Sequence, residues 1–418
     1  MQKKGQVLYF KEENKLIKKA KVNNVPLPKN FGPEFLVFEK GEGVYLYDLE
    51  GKKYLDFGAG VAVNALGHGR EDIAKIVYDQ MKKVIHTSNL FSSEPTIFLA
   101  EKLVALGNFA AVHFGNSGTE GNEAAIKYAR LYSYNKKGKG NHKILALESC
   151  FHGRTMGALA CTYNDAYKTP FEPLIPGVEF VPLNDVEALT KKLDSSFAAV
   201  IVEVLQGEGG LHMMSKEYAK ALNTLSKKHD VILIADEIQT GIGRTGWPFA
   251  SSIVGLEPDI ITLSKPLGGG LPLSATLIPE KINNYIKSGE HGTTFGGGPV
   301  TCAVAGKILD IILDPDFLAK VRKTGEYLSK RLNETAKKFS FTGEVLGTGL
   351  LLGIPINKPK TYEKDLTKEV ITKCIENGLI VLKSGKNVVR IAPPLILEEK
   401  HVDEGIEILT KTLESFKI

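Results

Sequence analysis

Cysteine is scarce in this chain. Its four residues, Cys150, Cys161, Cys302 and Cys374, make no C-x-x-C pair and have no metal-ligand spacing with the nine histidines. That argues against a disulfide framework and a zinc site, and for a reduced intracellular setting. Long apolar runs are missing as well. No stretch approaches the length needed to cross a bilayer, and the start, MQKKGQVLYFKEENKLIKKAK, lacks the continuous apolar segment of a secretory signal. A soluble, cytoplasmic protein is therefore expected. Charge of one sign is not concentrated either: 53 Lys and Arg stand against 48 Asp and Glu, and the net +5 is spread along the chain. Clusters such as Lys136, Lys137 and Lys139 are expected to be solvated loop, so neither nucleic acid nor membrane is an expected partner. Repeats and low-complexity tracts are absent too.

What is present is ordinary globular material, 43% apolar and 24% charged, in 418 residues, which is enough for two lobes. Apolar strand-like runs alternate with loops and helical patterns, which predicts an α/β protein with a mainly parallel central sheet. Alternation around Glu50-Gly51 in VYLYDLEGKKYLDF predicts a hairpin. EDIAKIVYDQMKKV and PTIFLAEKLVAL have helical spacing, and GLLLGIPI and NVVRIAPPL look like short strands. The expected division has an N-terminal segment, residues 1–70, contributing to a small lobe. Residues 71–307 form the large lobe, and residues 308–418 supply the rest of a small α/β lobe.

In open α/β sheets ligands bind beyond the carboxyl ends of the strands, so the residues following each apolar run carry the argument. Ala111–Phe114 leads into Gly115-Asn116-Ser117-Gly118-Thr119-Glu120 and then a helix, with apolar Ala124, Ala125 and Tyr128. Such a turn offers backbone N–H groups to a phosphate; a Ser/Thr helix cap is the plainer alternative. No G-K-[ST] follows these glycines, so it is not a Walker A loop. Ile144–Leu147 delivers Phe151, His152, Gly153 and Arg154. An aromatic there can stack on a flat ring, and an arginine can hold a carboxylate by two parallel hydrogen bonds. His152 has no evident partner and is taken as structural. Ala198–Val202 is followed by Glu203, with Glu208 in a glycine-flanked turn; Val231–Ala235 ends in Asp236-Glu237-Ile238-Gln239. Asp236 can serve a magnesium ion or a protonated ring nitrogen, and the missing Walker A loop weakens the first. Ile260–Leu263 is followed by Ser264 and Lys265, then by glycines 268–270. An anion site, an aromatic face, an acid for a ring nitrogen and a lysine amine together suit pyridoxal 5'-phosphate, whose aldehyde forms a Schiff base with lysine.

At these residues the chain resembles the class III (ornithine-type) branch of the fold-type I, pyridoxal-phosphate-dependent aminotransferases. The resemblance runs from GVYLYDLEGKKYLDFGAGVAVNALGHG to VVRIAPPLILEEKHVDEG. It includes TSNLFSSEP, FGNSGTEGNEAAIKYAR, FHGR, QGEGG, DEIQTGIGRTG, SKPLGGGLPLSA and HGTTFGGGP. Within the branch the chain is most similar to enzymes acting on acetylornithine. The resemblance implies Lys265 as the Schiff-base lysine and Asp236 as partner of the ring nitrogen. It places Phe151 and Ile238 on the two ring faces, Glu203 among the cofactor contacts, and Gln239 near the ring hydroxyl. Ser117, Gly118 and Thr119 would hold the phosphate, and Thr294 would reach it from the second subunit of a homodimer. Arg154 and Thr293 would contact the donor. Glu208 and Arg390 would form a switch pair, with Glu208 covering Arg390 until 2-oxoglutarate arrives. Three residues depart from the pattern: Gly121 for alanine, Val204 for proline and Gly298 for asparagine. The last puts the loop carrying Thr294 in question. A phosphate- or nucleotide-binding protein without covalent chemistry is the rival from another class.

Overall fold

The computed structural model describes Pro28, residues 36–416 and Ile418; the opening stretch of the sequence lies outside them. Three sheets organise the chain. Near the start β1 (Phe38–Glu42), β2 (Tyr45–Asp48) and β3 (Lys53–Asp56) run antiparallel, and the expected hairpin falls at β2 and β3, closed at Gly51 in a left-handed conformation. The central sheet takes β4 (Ala111–Gly115), β5 (Lys143–Leu147), β6 (Val178–Val181), β7 (Phe197–Val202), β8 (Ile232–Asp236), β9 (Ile260–Leu263) and β10 (Ser274–Ile278). Toward the end come β11 (Leu346–Thr348), β12 (Leu351–Pro355), β13 (Leu379–Ile380), β14 (Leu382–Ser384) and β15 (Val388–Ile391). β13 pairs parallel to β3, so a strand from late in the chain completes the first sheet.

The central sheet has the order β4-β10-β9-β8-β7-β5-β6. β10 is antiparallel to both of its neighbours, and the pairs from β9 to β6 are parallel. The carboxyl ends of β4, β5, β7, β8 and β9 therefore share one edge of the sheet. The strand sequences explain their place: every residue of β7, β8, β9 and β10 is buried. Strands covered by helices on both faces are continuous apolar runs rather than alternating ones. Truncating Ile201 to Ala here would cost about 2–5 kcal/mol through lost burial and the cavity left behind.

Helices α1 (Glu71–Met81) and α2 (Glu94–Val104) occupy the two segments with helical spacing. α3 (Gly118–Lys137) starts directly after β4 and packs across β4, β7, β9 and β10, burying Ala124, Ala125 and Tyr128. α4 (Met156–Ala160) and α5 (Asp165–Lys168) follow β5, and α6 (Pro299–Ile312) lies against α1 and α2. Gly121 sits in the first turns of α3, and a Cβ built there would meet Ser274 at 3.5 Å, an ordinary contact. The glycine is thus not demanded by space, and alanine would fit.

Candidate active site

Beyond the shared edge of the sheet, the chain assembles a charged floor. Asp236, the last residue of β8, is 5% exposed and accepts hydrogen bonds at both oxygens. Oδ1 takes one from the Ile238 backbone N–H at 3.1 Å; Oδ2 takes one from Asn122 Nδ2 at 2.8 Å and faces His152 Nδ1 at 2.7 Å. Asn122 is held in turn by Thr262 Oγ1 at 2.8 Å, and it donates to the His152 carbonyl at 2.7 Å. His152 is therefore not the partnerless residue expected from sequence. It bonds a carboxylate 84 residues away, where two strand ends meet. Burial opposes its charge, but Cys150 on one side and Asp236 on the other outweigh that and raise its pKa well above the usual histidine range. Among the described residues its buried Nε2 has no hydrogen-bond partner. Glu203 lies alongside, accepting from the N–H groups of Phe151 at 2.9 Å and Gly207 at 3.2 Å. Burial pushes its carboxyl up to about 7 against the pull of His152.

The Ser117–Thr119 turn borders this floor. Ser117 precedes α3, and its side chain does not cap the helix, so the plainer reading of the turn as a Ser/Thr cap fails. The Ser117 hydroxyl instead donates to Glu120 Oε1 at 3.3 Å, and Thr119 Oγ1 meets Thr155 Oγ1 at 2.7 Å. The first N–H groups of α3 are left without a side-chain acceptor, which suits an anion at a helix N-terminus. Gly118 is required here: a Cβ would stand 2.8 Å from Ile238. Gly153 is at φ +136°, and a Cβ on it would collide with Thr119. Small residues thus hold the Phe151–Arg154 loop, the phosphate-type turn and Ile238 in one tight cluster.

Lys265 follows Ser264 at the end of β9 with φ +30°, a strained conformation for a residue with a side chain. Among the described residues its amine forms no ion pair. Burial and the nearby Arg390 depress its pKa to about 8, against the opposing pull of Glu208, Asp236 and Glu203. The glycines after it turn the chain: Gly269 and Gly270 both have positive φ.

Two arginines stand at the rim in opposite states. Arg390, on β15, is 4% exposed; its Nη1 bonds Glu208 Oε1 at 2.5 Å, the Gly207 carbonyl at 3.0 Å and Gln239 Oε1 at 3.4 Å. Arg154 is exposed and forms no ion pair among the described residues, while its guanidinium lies over aromatic rings. Thr293 is partly buried and receives bonds from Asn116 Nδ2 at 3.3 Å and the Gly296 N–H at 3.2 Å. Thr294 is exposed. Gly298 caps α6 without strain, at φ −56°, and Val204 is buried at 1% exposure.

The model of the family described as aminotransferase class-III matches residues 27–413. The chain belongs to the class-III aminotransferases. It is 43% identical over 383 residues to a mitochondrial acetylornithine aminotransferase of Alnus glutinosa, covering 90% of this chain and 83% of that one. Among solved structures, an N-acetylornithine aminotransferase from Stenotrophomonas maltophilia superimposes with TM-score 0.81 at 31% identity, over 93% of this chain and 98% of that one. The ornithine aminotransferase of Toxoplasma gondii, with pyridoxal phosphate at partial occupancy, gives TM-score 0.88 at 29% identity, over 93% and 92%. The residues here fit the cofactor of class-III aminotransferases. An uncapped helix N-terminus with a glycine cradle suits its phosphate, a buried carboxylate its ring nitrogen, and a depressed amine its aldehyde. The same fit disfavours the non-covalent nucleotide-binding alternative, which has no use for the lysine.

Proposed function

We propose that the enzyme moves the terminal amino group of N2-acetyl-L-ornithine to 2-oxoglutarate, giving N-acetylglutamate 5-semialdehyde and glutamate. The observation that carries this reading is the contrast between the two arginines. A donor with one carboxylate and a distant amine needs one carboxylate site, and Arg154 is open for it. An acceptor with two carboxylates needs a second, and Arg390 becomes that site once Glu208 leaves. The likeness to acetylornithine enzymes supports the choice of donor.

In this reading Ser117, Gly118 and Thr119 hold the cofactor phosphate, Phe151 and Ile238 enclose its ring, Gln239 lies toward its ring hydroxyl, and Glu203 is among the cofactor contacts. Pyridoxal phosphate, when bound, supplies an aldehyde that condenses with amines and a ring that takes up electrons. Asp236 keeps a negative charge where the ring nitrogen's proton is held, and His152 with Asn122 keeps that carboxylate aimed. Lys265 Nζ, with its pKa near 8, is neutral often enough at working pH to accept the proton from the carbon that bears the donor's terminal amine. Arg154 holds the donor's α-carboxylate, and Thr293 adds a contact.

The reading includes a homodimer in which Thr294 reaches the phosphate of the other subunit. Tyr78, Met81, Ile85, Leu90, Phe91 and Phe295 are exposed, Leu90 at 85% and Phe91 at 73%. His86 packs on Phe295, and Asn89 bonds the Thr293 carbonyl, so the apolar stretch and the threonine loop form one surface. Exposed apolar residues gathered on one surface in this way suit an interface with a second copy of the chain. No helix of the described residues is long and apolar enough to cross a membrane, and the proposed setting is the cytoplasm. The lobes proposed are residues 71–307 around the central sheet and a small lobe from residues 1–70 and 308–418.

The test is kcat/KM for acetylornithine against ornithine and 4-aminobutyrate, since specificity is a ratio of those values. Acetylornithine should lead by about tenfold or more. A lead for either competitor would reassign the donor while leaving the class intact.

A further inference from the structure

We propose that Tyr167 is a positioning residue for Arg154: its ring holds the guanidinium flat and thereby sets how tightly the enzyme grips the donor's α-carboxylate. This rests on the reading of Arg154 as the carboxylate site. The Arg154 guanidinium carbon lies 3.5 Å from the centre of the Tyr167 ring and 5.6 Å from that of Phe151. Tyr167 belongs to α5, a short turn capped by Asn164, whose side chain accepts from the Ala166 N–H at 3.1 Å. Thr169–Phe171 continues it as a tighter turn. Arg154 lies just before α4.

The geometry matters because of what stacking leaves free. A guanidinium binds a carboxylate through the N–H groups along its edge, and a neighbouring aspartate would fix its direction by occupying that same edge. A ring held against its face fixes the direction and leaves every edge donor available. The acidic groups nearby are turned to other tasks. Asp165, two residues from Tyr167, pairs with Lys168 at 3.4 Å. Glu123 accepts from Thr155 Oγ1 at 2.6 Å and from the N–H groups of Gly157 and Ala158 at 2.8 and 3.0 Å. Arg154 is thus kept unpaired yet oriented, which an exposed arginine on its own is not. Phe151 adds a link inward, since the ring proposed to lie on the cofactor also borders the guanidinium.

Two variants separate the ring from its hydroxyl. Tyr167→Leu in the cofactor-loaded enzyme should raise KM for the α-carboxylate-bearing donor by about tenfold and leave kcat within about twofold, as loss of an interaction common to ground and transition states does. Tyr167→Phe should match the parent on both. In an Arg154→Leu background, Tyr167→Leu should add nothing, because the two act as one unit. The dissociation constant of glutarate, measured by calorimetry, should weaken in Tyr167→Leu and be kept in Tyr167→Phe. Unchanged KM and glutarate affinity in Tyr167→Leu would overturn the proposal, and so would an equal loss in the Arg154→Leu background. If the parent fails to turn over acetylornithine, the donor assignment falls, and the glutarate comparison still decides the role of Tyr167.

Discussion

The floor of the site and its rim are built on opposite principles. On the floor, Asp236, His152 and Asn122 are each at most 5% exposed, and each is tied to a partner within the chain. At the rim, among the described residues, Arg154 carries its charge without an ion pair, Thr294 is exposed and Phe295 is 69% exposed. A buried charge is tolerable when a partner and hydrogen bonds compensate its lost hydration, so the floor has to be complete before anything binds. The rim is left incomplete, and in the proposed reading substrate or a second copy of the chain would supply the missing partner. Arg390 lies between these regimes, buried like the floor yet matched with Glu208, the carboxylate that the proposed switch would release.

The largest break in this contrast is at Lys265, which has no ion pair among the described residues. Replacing Lys265 with Ala should cut turnover by about 10⁴-fold, because it removes both the covalent anchor and the proton-moving amine. The parent should be yellow and lose its visible band on borohydride reduction, with the label on Lys265. Substantial transaminase activity in the variant would sink the assignment.

Next comes the floor itself. His152→Leu takes from Asp236 a partner at 2.7 Å and leaves the carboxylate with Asn122 and one backbone N–H. Its kcat should fall by about 10²-fold with KM for the donor little changed, since the loss falls on charge stabilisation during reaction. Steady-state kinetics with a pH profile will check this. A drop confined to KM would place His152 at the rim in function if not in space.

A smaller effect is expected at the switch pair. Glu208→Gln keeps the shape and weakens the grip on Arg390, so the arginine is available for a larger fraction of the time. Apparent affinity scales with the competent fraction. KM for 2-oxoglutarate should therefore fall by about three- to tenfold, and that for acetylornithine should hold or rise. Parallel changes in both would show that Glu208 does not discriminate between them.

How much of this was legible in the sequence follows the same division. Buried parallel strands are uninterrupted apolar runs, so the residues ending them (Asp236, Glu203, Lys265, and the Ser117–Thr119 turn) stood out beforehand, and the central sheet came with them. His152 stood at one of those ends too, but its meaning lies in Asp236, 84 residues on, and no local pattern encodes that contact. Asn122 is in the same position, since its partners Asp236 and Thr262 lie 114 and 140 residues on. Arg154 and Tyr167 are 13 positions apart on separate short turns, with no shared period to connect them. The Glu208–Arg390 pair joins a turn of the central region to β15 and was visible through family resemblance alone. Sequence periodicity thus reports which face is buried, whereas pairing across strand ends is a product of the folded topology.

The smallest predicted effect concerns the energy stored at Lys265 in the cofactor-free protein. Burial first, and Arg390 second, hold its amine near pKa 8, against 10.5 for an unhindered lysine. Between those values the unfolded chain binds more protons at this group than the folded one, so stability rises with pH across that window. Below about pH 8 both states are protonated and the full penalty of the buried charge remains. Lys265→Met removes the group. Its apoprotein should melt a few degrees above the parent apoprotein at pH 7, and the gap should narrow steadily as pH rises from 8 to 10. Melting curves at matched ionic strength measure it, because screening alters the Arg390 contribution. A gap that stays constant from pH 7 to 10 would mean that the amine is protonated no differently in the folded protein than in water. Lys265 would then belong with the solvated rim, and the base proposed for proton transfer would have to be sought elsewhere.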